Sequence, residues 1–546
     1  MDRRAAVRAN STDGPTRKTV RFPVAEALAH AGFFARLPVF LRQPVDVRMA
    51  REVLRKRFEN RAADFANTIR TLIYDDPGSP YLALLRQAGC EHGDFLRLVE
   101  KEGIEGSLRV LARQGVYLSI DEFKGRTPVV RGSSVLHLDL RMLVKPSTSH
   151  HLTVRSGGSR SRGTAVPVDL AYVRDRAVST GVAYAARGAL EWVHGVWATL
   201  GRGSILNLLE LSGFGAHPAF WFSQVDPETA SVSPLYGWSA RAIQLGSLLA
   251  GIRPPGVRYV RLDQAVELAR WMAEVRRGGG TPHLHTHASS AVRVCQAASA
   301  AGLDIRGAQI TAASEPMTEA RLRVIQESGA RPWPQYASTE TGVIGLACSN
   351  PAKVDDVHLL HDRFAAIQSE AGNDMPANSI LLSSLRRTSA PFLLLNVSLG
   401  DQAVLEQRSC GCEMEQFGWH THLDSIRSQE KLTAGGMTFL DGDVIRVLEE
   451  VLPAQYGGGP TDYQLLEELS DDGRSQLRLL VDPGLGWIDS DALKAAFLTA
   501  IGAGSGAEHI MSLAWRDGDV LRVERRAPLR TGSGKILHVH QQSASR

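Results

Sequence analysis

Apolar residues recur at three- and four-residue spacing through the first quarter of the chain. In the run AREVLRKRFENRAADFANTIRTLIY, at residues 50–74, charged residues fill the positions between them, which predicts an amphipathic helix. The segment DDPGSP breaks this pattern, and YLALLRQAG and DFLRLVEKEG resume it. We therefore expect residues 22–125 to be mainly helical.

From about residue 200 to 345, short strand-like runs alternate with amphipathic helical runs. HLHTHAS, for example, lies between AVELARWMAEVRRGGG and SSAVRVCQAASAAGL. Alternation of this kind is typical of a mainly parallel sheet covered by helices. Residues 355–425 instead show short β segments separated by turns. The expected fold class is therefore α/β.

The pattern changes again after about residue 426. DYQLLEEL and SQLRLLVD flank the turn SDDGR and predict a hairpin, and DALKAAFLTAIG predicts a helix. The expected organisation is a disordered tail at 1–21, a large domain at 22–425 and a small mobile α+β domain at 426–546. About 120 residues is an ordinary size for the last unit.

Composition restricts the function classes. The chain has 546 residues, of which 43% are hydrophobic and 22% charged, as in a soluble globular protein. The net charge is +4 with both signs interspersed, so we expect no nucleic-acid surface, and no apolar run approaches the roughly 20 residues of a membrane span. The basic, polar N-terminus is not a secretory signal; it resembles a transit peptide in composition, but a disordered tail is the simpler interpretation. Five cysteines do not make a disulfide framework, so the cytoplasm is the expected compartment.

Three segments carry candidate chemistry in a fixed order along the chain. QYASTETG at 335–342 follows a strand, LGD at 399–401 precedes a β run, and PLRTGSGKI at 528–536 presents Lys535 on a glycine loop. Taken singly, each also fits a polar turn or an exposed charge. Together they resemble the motifs of the adenylate-forming superfamily, in its phenylacetate-CoA ligase branch, over about residues 75–540.

The resemblance implies roles for these residues. Tyr336 would stack on adenine, Thr339 would meet phosphate, and Glu340 would hold Mg²⁺, which prefers oxygen ligands. Asp401 would accept hydrogen bonds from the ribose. Lys535 would stabilise charge on the carboxylate and the α-phosphate during adenylation.

Further segments resemble the same branch with departures. ASEP at 313–316, which contains Glu315, resembles a segment bordering the nucleotide. IRSQEKLTAGGM at 426–437 resembles the hinge, with Arg427 matching the motif arginine and Gln429 or Glu430 replacing the hinge aspartate. VRSGGSRSRGT at 154–164 resembles the phosphate loop but is richer in arginine and lacks the usual lysine; a flexible surface loop is the alternative. Its small residues can form a nest of N–H groups for phosphate, and they are Ser156, Gly157, Gly158, Ser159, Ser161, Gly163 and Thr164.

A metal site is a further prediction. Three thiols and one imidazole suit tetrahedral zinc, and the candidate ligands are Cys348, His358, Cys410 and Cys412. The resemblance implies a structural zinc there. Free buried cysteines are the alternative, and His361 is a competing ligand. His283, His285 and His287 share one strand face, where pocket lining or packing is favoured over metal binding.

The sequence thus predicts ATP- and Mg²⁺-dependent activation of a carboxylic acid, by analogy aryl or arylacetic, and transfer to CoA. Trp221, Phe222, Tyr236 and Trp238 lie where the branch builds its acyl pocket, although such aromatics are more often core. One alternative is an acyl-protein synthetase or carrier-protein loading enzyme, which acylates a protein thiol. Another is a degenerate, non-catalytic nucleotide-binding protein. The oligomeric state stays open, with a homodimer the commonest arrangement.

Overall fold

A computed structural model gives the structure of the protein. It describes residues 24–144, 150–155, 165–198, 202–224, 234–261, 264–314, 317, 319–370, 375, 378–428, 433–434, 437–438, 447–458, 462–469, 475–503, 512, 515–516, 520–529 and 539–542. Within that part of the chain, no helix is both long and apolar enough to cross a membrane.

Helices dominate the first hundred described residues. They are α1 Val24–Arg42, α2 Val47–Glu59, α3 Arg61–Ile69, α4 Pro80–Gln87, α5 His92–Arg113 and α6 Ile120–Phe123. The helix predicted at 50–74 is interrupted at Asn60, which separates α2 from α3, and it ends in a π-helical turn at Arg70–Tyr74. The Asp46 carboxylate caps α2 by accepting from the backbone N–H groups of Arg48 and Met49.

Two short hairpins and a large sheet follow. The hairpins pair β1 Val129–Arg131 with β2 Ser134–Leu136, and β3 Leu152–Arg155 with β4 Ala165–Val168. The strands of the sheet are β5 Val193–Ala198, β6 Phe220–Ser223, β7 Gly256–Tyr259, β8 Pro282–His287, β9 Gln309–Ala313, β10 Arg331–Ser338, β11 Gly342–Ala347, β12 Val357–Leu359, β13 Phe364–Gln368, β14 Ser379–Ser384, β15 Val397–Gln407 and β16 Thr421–Ser428.

Among the described residues, this sheet has twelve strands in the order β7-β6-β5-β8-β9-β10-β11-β12-β16-β15-β14-β13. Every pair from β7 to β10 is parallel, and every pair from β10 to β13 is antiparallel. The parallel half corresponds to the predicted alternation of strands and helices, and the antiparallel half to the predicted short β segments. The α/β prediction is confirmed.

Helices accompany the parallel half, as the right-handed crossovers between parallel strands require. They are α7 Leu170–Ala186, α8 Arg202–Gly213, α9 Pro234–Leu249, α10 Val266–Arg277, α11 Ala288–Ala300 and α12 Glu319–Glu327. Helix α7 packs on α8, and its residues from Arg176 to Tyr184 are buried. This helix supplies several of the polar side chains described below.

The C-terminal part has its own sheet. Its strands are β17 Thr433–Ala434 paired with β18 Met437–Thr438, and then β19 Tyr463–Leu469, β20 Ser475–Val481, β21 Leu521–Arg525 and β22 Val539–Gln542 in the order β21-β20-β19-β22. The predicted hairpin is present as β19 and β20. The predicted helix at 491–502 is present as Ser490–Ile501, capped by the Asp489 carboxylate. A π-helical turn at Val447–Val451 precedes a short helix at Leu452–Tyr456.

Candidate functional site

Two residues predicted to bind nucleotide are in direct contact. The Tyr336 hydroxyl on β10 donates to Oδ2 of Asp401 on β15 at 2.9 Å, across 65 residues of chain. Both residues are buried. Burial, and then the neighbouring Asp401 carboxylate, hold the pKa of Tyr336 well above its ordinary value. The tyrosine is therefore a neutral hydrogen-bond donor that fixes the carboxylate.

The turn between β10 and β11 carries Thr339 and Glu340. It is fixed from two sides, because Ser338 accepts from the Thr341 N–H at 3.2 Å and the Tyr172 hydroxyl on α7 donates to the Thr341 carbonyl at 2.8 Å. Gly342 closes the turn with φ +73°, and a Cβ there would lie 2.5 Å from the Tyr172 hydroxyl oxygen. This position therefore requires glycine for both backbone conformation and space.

Glu340 forms a buried ion pair that sequence reasoning missed. The ammonium of Lys124, which follows α6, contacts Glu340 Oε1, and both side chains are less than a tenth exposed. The two residues are 216 positions apart, and nothing in either local pattern links them. The predicted magnesium ligand thus faces a cation supplied by the chain itself.

Several predicted site residues lie outside the described residues. They are Lys535, Glu315 and the phosphate-loop residues Ser156, Gly157, Gly158, Ser159, Ser161, Gly163 and Thr164. The strands that flank the loop are described, and Arg155 pairs with Ala165 across the β3–β4 ladder. The backbone of Arg427 lies on β16 opposite Gln402, next to Asp401.

The four predicted metal ligands meet in one place. Cys348 follows β11, His358 lies on β12, and Cys410 and Cys412 lie between β15 and β16; their donor atoms are all within 4.8 Å of one another. His358 Nε2 is 3.1 Å from the Cys412 sulfur and 3.7 Å from the Cys410 sulfur. A hydrogen bond from Cys348, and then contact with His358, lower the pKa of Cys412 well below its ordinary value.

The donor set fits zinc. Tetrahedral zinc with bonds of about 2.3 Å to sulfur needs sulfur–sulfur distances of about 3.8 Å, which this spacing allows after small shifts. His358 Nδ1 lies 2.8 Å from the Trp419 carbonyl, so this nitrogen donates and Nε2 keeps its lone pair for a metal. Buried apolar residues, Val178, Val182 and Leu346 among them, surround the cluster.

Two neighbouring groups suit a metal less well. The competing ligand His361 is not part of the cluster, and its ring lies 5.0 Å from that of Phe58. Asp356 and His422 approach Cys348, but Asp356 already accepts from His422 Nδ1 at 2.8 Å and pairs with Arg408. Hydrogen bonds and an ion pair within the chain therefore engage the Asp356 carboxylate.

Comparison with known proteins identifies the fold. No family model matches the chain, and no curated protein sequence matches it. A solved structure of 2-hydroxyisobutyryl-CoA ligase, in complex with 2-HIB-AMP and CoA in the thioesterification state, matches with a TM-score of 0.52 and 14% identity. The match covers 90% of each chain.

The protein has the fold of an acyl-CoA ligase.

Two further solved structures match with lower TM-scores, and both are named as CoA ligases or synthetases. Anthranilate-CoA ligase AuaEII, in complex with anthranoyl-AMP, matches at 12% identity with a TM-score of 0.32, covering 70% of this chain and 65% of its own. The o-succinylbenzoate-CoA synthetase of Bacillus subtilis matches at 11% identity with a TM-score of 0.39, covering 74% and 71%.

In this ligase fold, a small cavity lined by both polar and apolar residues lies between α7, α8 and strands β8 and β10. Its lining residues are Thr180, Tyr184, Asn207, Glu210, Leu211, Phe214, His285 and Gln335. Gln335 immediately precedes Tyr336. Because ligands of parallel sheets bind beyond the carboxyl ends of the strands, the cavity is well placed beside the Tyr336 region.

Two of the aromatic residues predicted for the acyl pocket, Trp221 and Phe222, do not line this cavity. Trp221 and Phe222 are buried in apolar clusters, and the Phe222 ring packs 5.4 Å from that of Trp271. The side chains of Tyr236 and Trp238 lie outside the described residues. Of the three strand histidines, His285 lines the cavity and His283 packs against His194.

Proposed function

We propose that the protein is an AMP-forming acid–thiol ligase of the phenylacetate-CoA ligase-like branch. It activates a carboxylic acid with ATP and transfers the acyl group to the thiol of CoA. The contact between Tyr336 and Asp401 carries the proposal, because it joins residues of two separate motifs for the same nucleotide within an acyl-CoA ligase fold.

The chemistry needs two displacements. The carboxylate oxygen attacks the α-phosphorus of ATP, and pyrophosphate leaves as the new P–O bond forms. The CoA thiolate then attacks the acyl carbon, AMP leaves with the electron pair of the broken C–O bond, and the thiol proton passes to solvent. Since both steps depend on alignment and charge compensation, the protein acts mainly by positioning.

The residues of the candidate nucleotide site have distinct roles in this proposal. Tyr336 stacks on adenine, Asp401 accepts hydrogen bonds from the ribose hydroxyls, and Thr339 contacts phosphate. Glu340 would hold Mg²⁺, which supplies positive charge beside the phosphates. Lys124 and the metal are both cations that seek the Glu340 carboxylate, so Lys124 must share or release it when the metal binds.

Residues outside the described segments complete the proposal. The loop at 156–164 would cradle phosphate, Glu315 would border the nucleotide, and Arg427 would lie at the entry to the mobile unit at 426–546. Lys535 would bring its ammonium to the reacting carboxylate and the α-phosphate for the first step only.

Pyrophosphate exchange tests adenylation directly. The purified protein is incubated with ATP, Mg²⁺, labelled pyrophosphate and a broad panel of carboxylic acids, with aryl and arylacetic acids first. Label should enter ATP only when an acceptable acid is present. Absence of exchange with every acid would refute the ligase proposal in favour of a non-catalytic nucleotide-binding protein.

Lys535→Ala separates the two steps. Exchange should fall by about 10²–10³-fold, as for loss of one preorganised charge contact. Thioester formation from preformed acyl-adenylate should keep its wild-type rate. Equal slowing of both steps would contradict the division of roles.

The acyl acceptor is tested by AMP release. CoA should accelerate release and accumulate as the thioester. If only a carrier-protein thiol accelerates release, the protein is a carrier-loading enzyme instead.

We also propose that the cysteine–histidine cluster holds one structural zinc. Elemental analysis should give close to one equivalent per chain. Less than about 0.2 equivalents after purification without chelator would refute a closed four-ligand site.

A further inference from the structure

Glu210, which lines the cavity between α7 and α8, has an unsatisfied carboxylate oxygen. Glu210 is buried, and its Oε2 pairs with the Arg176 guanidinium. Within the described residues, Glu210 Oε1 is buried and meets no hydrogen-bond partner. A buried carboxylate oxygen in this state is costly unless a donor reaches it.

A chain of hydrogen bonds fixes the proton positions on the opposite wall. His194 Nε2 lies 2.9 Å from the Ala189 carbonyl, so this nitrogen must carry the proton and Nδ1 must accept. His194 Nδ1 lies 2.7 Å from His283 Nδ1, which must therefore donate. Burial lowers the pKa of His194 to about 4 and lowers that of His283 as well, so both rings are neutral at pH 7.

The same reasoning fixes the proton positions of the groups between His283 and the cavity. With its proton on Nδ1, His283 accepts at Nε2 from the Thr311 hydroxyl at 2.8 Å. Thr311 has then donated its only proton, so the Tyr184 hydroxyl donates to Thr311 at 3.1 Å. The Tyr184 oxygen consequently offers only acceptor capacity to the cavity it lines.

The Thr180 hydroxyl oxygen, like the oxygens of Glu210 and Tyr184, can only accept a hydrogen bond from a group in the cavity. The Thr180 hydroxyl donates to the Arg176 carbonyl at 2.9 Å, which leaves its oxygen as an acceptor. Three lining residues, Thr180, Tyr184 and Glu210, thus present acceptors. The Asn207 and Gln335 amides can each donate or accept, and burial lowers the pKa of His285 to about 3, so that ring is neutral.

Size and charge restrict what this cavity takes. Its free volume is about 10 Å³, which is room for about one water-sized group and too little for a ring. Arg176 already balances the Glu210 charge, so an added ammonium would be buried without a counter-charge. A neutral group with a donor hydrogen satisfies both conditions.

We propose that the acid activated by this protein carries a hydroxyl or aromatic amino substituent that enters this cavity and donates to Glu210 Oε1. The proposal rests on the adenylation function proposed above and specifies its substrate class. The rest of the acid lies towards Gln335 and the Tyr336 region, where its carboxylate meets ATP. An unsubstituted acid leaves the Glu210 oxygen to a trapped water.

Matched acid pairs test the proposal in the exchange assay. The panel compares the 2-, 3- and 4-isomers of hydroxy- and amino-substituted benzoates and phenylacetates with the parent acids and with their methyl isosteres. Short 2- and 3-hydroxy acids are compared with their parent acids. At least one hydroxyl or amino member should exceed its methyl isostere by about 100-fold in kcat/KM, since a site built to bind a donor rejects an analogue that lacks it.

Variants assign the preference to the cavity. Glu210→Gln should reduce it at least tenfold, and Tyr184→Phe, which preserves ring packing against Phe214, should reduce it several-fold. Thr180→Val provides the same test if Glu210→Gln does not fold, because valine is isosteric and leaves the ion pair intact. The matched controls Tyr74→Phe and Glu105→Gln, far from the cavity in sequence and in different contacts, should leave the preference unchanged.

The outcomes separate this inference from the proposed function. Equal activation of hydroxyl, amino and methyl members at every position would overturn the inference and leave the ligase proposal standing. A preference that survives Glu210→Gln, Tyr184→Phe and Thr180→Val would also overturn it. No exchange with any acid would refute the proposed function and this inference together.

Discussion

The parallel and antiparallel halves of the sheet satisfy their buried polar groups by different means. In the parallel half, neutral groups form a hydrogen-bond chain from His194 through His283 and Thr311 to Tyr184. The antiparallel half also has buried neutral groups, such as Ser383 and Ser384, but it adds carboxylates and thiols, as in the contact of Tyr336 with Asp401 and the pairing of Asp356 with Arg408. Glu340 lies at the boundary and is held by Lys124.

This difference predicts how each half responds to change. In the hydrogen-bond chain of neutral groups, loss of one contact leaves no buried charge without a partner. The stability of this region should nevertheless depend on pH, because a buried imidazole resists protonation. A buried charge is far more sensitive to loss of its partner, since the remaining charge keeps its desolvation cost. Four experiments test that contrast, from the largest expected effect to the smallest.

Loss of the Lys124 ammonium, at the boundary between the two halves of the sheet, should have the largest effect on stability. Lys124→Met removes the ammonium beside the carboxylate of Glu340, a residue that is 6% exposed, so the free energy of unfolding should fall by about 3–5 kcal/mol. Urea unfolding measures this change. The double variant with Glu340→Gln should recover part of the loss, because the buried carboxylate is then gone.

An exposed pair provides the control for Lys124. Lys101→Met removes a lysine whose side chain is 80% exposed beside Glu102, and it should cost less than about 1 kcal/mol. Equal losses for the two lysine variants would contradict a special role for burial at the boundary.

Loss of a thiolate in the antiparallel half should come next. Cys412→Ser should abolish stoichiometric zinc and remove the stabilisation that bound metal gives, about 2.7 kcal/mol when free zinc exceeds Kd a hundredfold. Zinc content and thermal unfolding with and without added zinc measure both. Cys295→Ala, in an apolar cluster away from the ligands, should keep its zinc. Full zinc content in Cys412→Ser would exclude this sulfur as a ligand.

Asp401→Asn should weaken ATP binding without unfolding the protein. The asparagine oxygen can still accept from Tyr336, while the charge that strengthens hydrogen bonds to the ribose is lost. KM for ATP should rise about 10- to 100-fold, or about 1.4–2.7 kcal/mol. Asp139→Asn, at an exposed turn, should leave KM unchanged. An unaltered KM in Asp401→Asn would remove this residue from the proposed nucleotide site.

The hydrogen-bond chain of neutral groups should make the stability of the protein depend on pH. The folded pKa of His194, about 4, lies below the ordinary value near 6.5, so the unfolded chain takes up the proton first as the pH falls. Stability should therefore decline between about pH 6.5 and 4, with a contribution from this ring of up to about 1.4 kcal/mol per pH unit. His194→Gln should reduce that slope, and His420→Gln, more than half exposed, should not. An unchanged slope in His194→Gln would show that its ring is not held neutral.

Local patterns predicted much of the fold. Helical spacing and strand–helix alternation predicted the helical start, the parallel half and the C-terminal hairpin, because these depend on residues close in sequence. The order of strands is a different matter: β5 lies beside β8, although β6 and β7 come between them in the chain. His194 contacts His283 because of that strand order, and no pattern in the sequence around either residue predicts the contact.

The candidate site divides in the same way. The sequence predicts Tyr336 and Asp401 through their resemblance to family motifs, and it predicts the four candidate zinc ligands through the same resemblance and the chemistry of their side chains. Lys124, Arg176 and Glu210 were missed, because ordinary charged residues in helices and turns acquire meaning only through tertiary contact. The breakdown of the predicted long helix at Asn60 likewise followed no strong breaker residue.

Gly342 affects how relatives of this protein should be compared. Its neighbour is the Tyr172 hydroxyl of α7, so packing within the apoprotein already demands a glycine there. On the proposed function, a descendant that had lost ATP binding would still be selected to keep Gly342. Retention of this glycine therefore reports on the architecture, and so does retention of Glu340, which is paired with Lys124. On the proposed function, substitution of Asp401 would instead mark lineages that no longer bind ATP.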